Sequence, residues 1–263
     1  VTPLERRNTH CVILLVALSA IAPALDAQAP KYTLEGIYNS ASWEAGNLAP
    51  YTFATIFGEK LADNEKSRGE EDGIGGIGSV DVLVNGIAAR VFYISPTQVN
   101  FLLPMRWKPG DVGVRVVNRG IAGPEVTLKL REYAPALFQL DSDHVVAQRW
   151  PGYIVATPEA PAHPGEIVVL YAAGLGSFES KVTDDAPPWA PQEIAARKDF
   201  RLLLDNVPVD DDRIWYAGAV DQYWGLYQIN LLLPESVPDN PVIQIAIGDH
   251  ISRPELRLPL RAQ

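Results

Sequence analysis

Gln98-Val-Asn-Phe-Leu-Leu-Pro104 returns 130 residues later as Gln228-Ile-Asn-Leu-Leu-Leu-Pro234. Around this pair the likeness extends in both directions. Pro50-Tyr-Thr-Phe-Ala-Thr-Ile-Phe-Gly-Glu-Lys-Leu61 aligns with Pro164-Gly-Glu-Ile-Val-Val-Leu-Tyr-Ala-Ala-Gly-Leu175, Val82-Leu-Val-Asn-Gly86 with Leu202-Leu-Leu-Asp-Asn206, Val91-Phe-Tyr93 with Ile214-Trp-Tyr216, and Val126-Thr-Leu-Lys-Leu130 with Leu256-Arg-Leu-Pro-Leu260. The order never changes and the offset grows only by insertions in the second copy. One domain, duplicated and diverged, accounts for this pattern.

Each copy reads as all-β. The apolar runs are short and bounded by Gly, Pro, Asn and Asp. In the first copy they are residues 52–57, 80–84, 90–94, 98–103, 112–117 and 126–130. In the second they are 167–172, 200–204, 213–217, 226–233, 242–247 and 256–260. Val82 and Val84, Val114 and Val116, and Ile243 and Ile245 alternate as in strands with one buried face. Asn85-Gly86 and Asp205-Asn206 are tight-hairpin dipeptides. Such strands, repeated over about 100 residues, predict two tandem immunoglobulin-like β-sandwiches. The expected layout is a flexible lead-in at 28–35, one sandwich at 36–132 and another at 133–263. Ala134-Pro-Ala-Leu-Phe138 and Tyr153-Ile-Val155 would open the second. The Glu-, Lys- and Gly-rich stretch at 63–79 reads as a solvated hairpin loop.

Composition agrees with a packed domain pair. The chain has 263 residues, 47% of them hydrophobic, with 20 Gly and 22 Pro to serve many turns. A net charge of −10 disfavours nucleic acid and anionic membranes as partners. The single Cys excludes a disulfide framework and a thiolate zinc site. Residues 1–27 read as an export signal: Arg6, Arg7 and His10, then the apolar run 11–22, then small residues ending at Ala27. Cys11 opens that run, where lipidation is not expected. The mature chain is expected outside the cytoplasm, at the cell surface, in the periplasm or in the medium, with no transmembrane span.

The chain resembles the Solibacter-type C-terminal domain of acidobacterial exported proteins. The matching text includes Asn39-Ser-Ala-Ser-Trp43, Ile56-Phe-Gly58, Val84-Asn-Gly86, Tyr93-Ile-Ser-Pro96, Gln98-Val-Asn-Phe101, Ala134-Pro-Ala-Leu-Phe138, Tyr216-Ala-Gly218 and Gly225-Leu-Tyr-Gln-Ile-Asn230. The resemblance covers roughly residues 36–260. It implies paired immunoglobulin/IPT-like modules in exported or surface proteins, without an established activity, usually appended to a larger repeat or propeller region. Tyr51 and Glu59-Lys60 depart from the family, which tends to have small or Gly residues there.

Candidate functional residues are few. Gln98 and Asn100, like Gln228 and Asn230, lie two apart on one strand face. Their presence in both copies favours amide-to-backbone bracing over ligand binding. His144, His163 and His250 stand in no nucleophile context, and no Gly-x-Ser-x-Gly elbow occurs. Asp141-Ser-Asp143, Asp184-Asp185 and Asp210-Asp-Asp212 lack a spaced calcium loop and read as solvated acidic faces. No cofactor, metal site or catalytic residue is expected.

The aromatics carry more. Trp215, Tyr216, Tyr223, Trp224 and Tyr227 crowd one stretch. Trp215 and Tyr216 match Phe92 and Tyr93, so at least one should be core. Tyr223 and Trp224 sit in an insertion that the first copy lacks. They either plug the seam between the domains or offer a flat face to a ligand. The expected function is a non-catalytic module for adhesion, surface assembly or contact with a surface glycan or envelope protein. A loop-borne envelope hydrolase and a purely structural spacer are the alternatives.

Overall fold

The computed structural model describes residues 28–262 except 70, 71, 73, 74, 180–182 and 185. The expected export signal at 1–27 therefore lies outside the described residues. The first half carries β1 (Ile37–Asn39), β2 (Phe53–Phe57), β3 (Lys66–Ser67), β4 (Val80–Val84), β5 (Ile87–Ala88), β6 (Arg90–Ile94), β7 (Gln98–Leu102), β8 (Gly110–Asn118), β9 (Ile121–Ala122) and β10 (Val126–Leu130). The second carries β11 (Ala136–Leu137), β12 (Ala147–Arg149), β13 (Ile154–Val155), β14 (Ile167–Ala173), β15 (Phe200–Leu204), β16 (Val207–Pro208), β17 (Ile214–Ala219), β18 (Tyr227–Leu232), β19 (Ile243–Ile247) and β20 (His250–Ile251).

All pairings between these strands are antiparallel. In the first half the sheets run β1-β2-β7-β6-β3 and β10-β8-β4-β5, with β9 on β8. In the second they run β13-β12-β14-β18-β17, with β11 on β14, and β16-β15-β19-β20. The repeat is visible in this order, because β14, β18 and β17 occupy the places of β2, β7 and β6, and β19, β15 and β16 those of β8, β4 and β5. Each half is a sandwich whose two sheets close on one core. Ile56, Val99 and Phe101 meet Val82, Val114 and Leu128 in the first. Leu170, Ile229 and Leu231 meet Leu202, Ile245 and Leu258 in the second.

Local chemistry explains the hairpins. Asn85 and Gly86 have φ of 49° and 77°, and Asp205 and Asn206 have 48° and 65°. Two successive positive φ values give the turn whose twist matches antiparallel strands. The side chains reinforce it, since Asn85 Oδ1 accepts from Gly113 N at 2.7 Å and Asp205 Oδ1 from Val242 N at 2.8 Å.

Four expectations are corrected. Residues 256–260 form no strand: Pro254 and Pro259 remove ladder donors. Only isolated bonds, such as Leu258 N to Pro241 O at 3.0 Å, tie the segment to 241–243, while Leu256, Leu258 and Leu260 still enter the core. The lead-in 28–35 is tied down, with Lys31 and Glu59 exchanging backbone bonds of 2.9 and 2.8 Å and Tyr32 buried in the first core. The 63–79 stretch includes β3 and is organised by Arg68, which donates to the carbonyls of Val91, Gly75 and Gly76. Finally, neither Trp215 nor Tyr216 joins the core. The register shifts between Ile214 and Tyr216, and likewise between Val91 and Tyr93. The same bulge in both copies expels one aromatic from the ladder: Trp215 to solvent and Phe92 to the seam.

One ion pair braces the second sandwich between the end of β12 and the residue that precedes β14. Arg149 Nη2 and Nε reach the Glu166 carboxylate at 2.6 and 2.8 Å. The Arg149 guanidinium holds that carboxyl below its ordinary 4.5. A lowered folded-state value means the stabilisation is complete above the unfolded value and lost as pH falls through the folded one. Both side chains are 30% exposed, so the expected contribution is at most about 1 kcal/mol. In urea melts, the difference in stability between wild type and Glu166→Gln should be present at pH 6 and vanish toward pH 3. A difference independent of pH would contradict this.

Candidate functional site

The two sandwiches meet in a packed seam. Tyr51 and Leu102 of the first half are buried within the core of the second, and Phe53, Phe92 and Met105 pack against it. Tyr51 is 1% exposed, and its ring meets Phe178 and Tyr227 edge-on at 5.8 and 6.4 Å. Phe178 and Tyr227 stack on each other at 5.2 Å. Burial pushes the Tyr51 phenol up to about 12 and that of Tyr227 well above its usual range. The Tyr227 hydroxyl donates to Gly176 O. The Tyr51 hydroxyl, although beside the Gly225 backbone, meets no partner in good hydrogen-bond geometry.

Polar ties flank the rings. Gln139 Nε2 donates to Ala41 O and Ser42 O at 3.2 Å each, and Arg253 Nη1 to Ser42 O at 2.8 Å. Asp184 accepts from Met105 N at 2.5 Å and Arg106 Nε at 2.6 Å. Asp184 is thus a seam residue, and its neighbour Asp185 lies outside the described residues. The other acidic clusters hold loops in place. Asp141 accepts from Asp143 N and His144 N at 2.8 Å each, and Asp211 pairs with Arg197 at 2.6 Å. Among the described residues no three His, Cys, Asp or Glu side chains gather as metal ligands.

At one end of the seam lies an open cleft of ≈ 420 Å³, walled by Phe53, Phe92, Phe138, Trp224, Tyr223 and Leu226, with Ser40, Asn100 and Gln222 as its polar members. The 220–226 loop forms one wall. Gly225 has φ +59°, and a Cβ there would stand 2.4 Å from Leu102 Cδ1 and 3.1 Å from Phe53 Cε2. Only glycine lets the loop turn so close to the first sandwich. Trp224 is half-buried against the seam, its ring 4.3 Å from the Arg90 guanidinium. Tyr223 is 60% exposed at the lip. The two residues of the insertion therefore divide the two expected uses, one facing inward and one outward.

The repeated amides bond to each other rather than to backbone. Gln98 Nε2 donates to Asn100 Oδ1 at 2.9 Å, and Gln228 Nε2 to Asn230 Oδ1 at 2.7 Å. All four side chains lie half-buried on outer sheet faces, and Asn100 alone among them lines the cleft. Sequence reasoning missed Tyr51, Phe53, Phe92, Arg90 and Phe178. A usable signal existed for Tyr51, a large ring where the resembling family has a small residue.

No family model and no curated protein matches the chain. Among solved structures, the chain is similar to the I9–I11 tandem of titin at 8% identity, covering 89% of this chain and 66% of that one, with a TM-score of 0.26. A second is the Bacteroides ovatus mixed-linkage glucan utilization locus protein SGBP-B in complex with a mixed-linkage heptasaccharide, at 11% identity, with coverage of 91% and 48% and a TM-score of 0.33. A third is the tandem Ig repeats of Dlar, at 12%, 90% and 96%, with a TM-score of 0.21. The chain thus spans less than two thirds of the titin tandem and about half of SGBP-B. The fold rests on this chain's own strand pairing, not on these overlaps. No helix among the described residues is long and apolar enough to cross a membrane.

Proposed function

We propose that this chain is an exported, non-catalytic tandem sandwich of the Solibacter-type kind that makes contact through its seam cleft, and that the occupant is a carbohydrate. The carrying observation is the cleft wall itself, with rings from both sandwiches set beside the Asn100 and Gln222 amides and the Ser40 hydroxyl. Apolar walls with a few placed polar groups are the usual make-up of a small-ligand site. A sugar presents a C–H face that packs on aromatic rings and hydroxyls that amides can bind. Export is supported by the basic and apolar pattern of residues 1–27. A protein-contact reading draws on a different place, the β12–β13 hairpin, where Trp150, Tyr153 and Ile154 are 52%, 53% and 62% exposed.

Affinity electrophoresis through gels containing β-glucan, xylan, galactomannan or polygalacturonate tests the carbohydrate reading. At least one polysaccharide should retard the wild type. Tyr223→Ala should weaken that retardation about tenfold, the equivalent of 1.4 kcal/mol, with an unchanged melting midpoint because the ring is exposed. Migration unaltered by every polysaccharide would overturn the reading.

A further inference from the structure

A second aromatic platform lies on the same outer face as the seam cleft, at the far end of β2. Strand β2 points Ala54 and Ile56 into the core and Phe53, Thr55 and Phe57 to the opposite side, where Thr55 is itself fully buried. Phe53 is in the cleft, whereas Phe57 is 39% exposed. Trp43, 48% exposed, stacks on Phe57 at 6.2 Å and 27°, and Tyr38 meets Phe57 edge-on at 5.7 Å. With a rise of roughly 3.3 Å per residue, Phe53 and Phe57 stand about 13 Å apart along the strand.

Trp43 is held there at a cost. Its φ is 58°, in the left-handed region where glycine is the default and a bulky side chain is an outlier. Such strain persists only where the surroundings fix it, and it gathers at ligand contacts. The surroundings do fix it. Trp43 N donates to Asn39 O at 2.8 Å, Asn39 N to Glu44 O at 3.0 Å, and Asn39 Oδ1 accepts from Ala41 N at 2.9 Å. The second sandwich then clamps the turn from outside through Gln139 and Arg253. The platform and the cleft are therefore positioned by the same seam.

Between the two aromatic ends the face is polar and uncharged. Cross-strand partners share a face, so Tyr38, Thr55, Asn100 and Tyr93 form one row, with Gln98 beside Phe57; Thr55 is fully buried within it, and Tyr38, Asn100, Tyr93 and Gln98 are its half-exposed members. Ser40 Oγ and Thr55 Oγ1 lie 2.9 Å apart within it. No carboxylate occurs at the outward positions of β1, β2, β6 and β7, although the protein as a whole carries −10. Arg90, at the seam end, is covered by Trp224. Rings at both ends and the half-exposed Ser40, Asn100 and Gln98 between them complement an uncharged polyol.

We propose that Trp43, Phe57 and Tyr38 form a distal subsite of the seam cleft, so that the ligand is a neutral glycan chain lying along β2 rather than a single sugar. This rests on the carbohydrate reading of the cleft. The test uses the full chain, the same neutral polysaccharides, and the disaccharide and hexasaccharide of whichever polymer binds. Trp43→Gly removes the ring while suiting the positive φ, and Phe57→Thr keeps a strand-forming residue outward. Both variants should keep the wild-type melting midpoint or exceed it slightly. Wild type should bind the hexasaccharide at least tenfold more tightly than the disaccharide. Both variants should lose that length dependence while binding the disaccharide as wild type does, and Tyr223→Ala should bind both sugars about tenfold more weakly. Variants that retain the full length dependence, with Tyr223→Ala defective, would overturn the distal subsite and leave the cleft standing. Wild type that binds no polysaccharide overturns both readings. Binding to phosphatidylglycerol vesicles that is lost in Trp43→Gly would assign the face to a lipid surface and overturn the glycan proposal.

Discussion

Tyr51→Ala is expected to lower the unfolding free energy by about 3–5 kcal/mol, the range for truncating a buried aromatic. The ring is 1% exposed and lies among side chains of the opposite sandwich, so its loss opens a cavity that neither core can close alone. Its neighbours Phe178 and Tyr227 lose edge contacts that contribute about 0.5–1.5 kcal/mol per pair beyond their area. Relief of backbone strain offsets nothing, because Ala at the φ of 61° is strained as Tyr is. Urea denaturation followed by Trp fluorescence measures the loss. Tyr51→Phe separates ring from hydroxyl. The hydroxyl is buried without a well-placed partner, so its removal should be neutral or slightly stabilising. A loss under about 1 kcal/mol in Tyr51→Ala would mean that the two sandwiches do not depend on this ring for their union. A large loss in Tyr51→Phe would mean that the hydroxyl is hydrogen-bonded after all.

The repeated segment at 98–104 and 228–234 already carried the architecture, because a duplicated pattern of short apolar runs places equivalent strands in equivalent sheets. The central strands β2, β4, β7, β8, β14, β15 and β18 begin and end close to the expected residues. Two-residue edge strands such as β5 and β16 escaped notice, since so short a stretch has no periodicity to read. The bulge was hidden for another reason. Val91-Phe-Tyr93 reads as a regular strand, and only its pairing with β7 reveals the extra residue that throws Phe92 sideways. The site was half legible. The insertion at 221–225 marked Tyr223 and Trp224, because a difference between two copies stands out against what they share. Their partners Phe53, Phe92 and Arg90 belong to the common pattern and looked like ordinary strand residues. Trp43 was visible only within the Asn39–Trp43 stretch that carries the sequence resemblance, because a positive φ at a Trp cannot be anticipated from composition.

Trp224→Ala should act on stability and on binding together, and more mildly on stability than Tyr51→Ala. The ring is half-buried, lining the cleft with Phe53 and Phe92 and lying 4.3 Å from the Arg90 guanidinium. Its truncation removes apolar cover at roughly 25 cal/mol per Å² and a partly desolvated cation–π contact of about 1–2 kcal/mol. One consequence works the other way. Arg90 makes none of the ion pairs among the described residues, its Nε is buried without a partner, and burial lowers its pKa. Removing Trp224 would return that cation to water and recover part of its desolvation. The expected net loss is therefore about 2 kcal/mol, below the range for a fully buried Trp. Trp224→Phe should lose less than half of that, because Phe still covers the seam and still faces the guanidinium. A double-mutant cycle with Arg90→Ala isolates the contact, and its coupling should be about 0.5–2 kcal/mol. Coupling near zero would leave Trp224 as plain cover for the seam, and Arg90 with the Phe92 ring at 5.9 Å as its aromatic neighbour. Glycan retardation supplies the second readout. Trp224→Ala should lose it and Arg90→Ala should largely keep it, because the indole walls the cleft and Arg90 does not. Equal loss in both variants would place the guanidinium at the ligand and make an anionic glycan the better occupant.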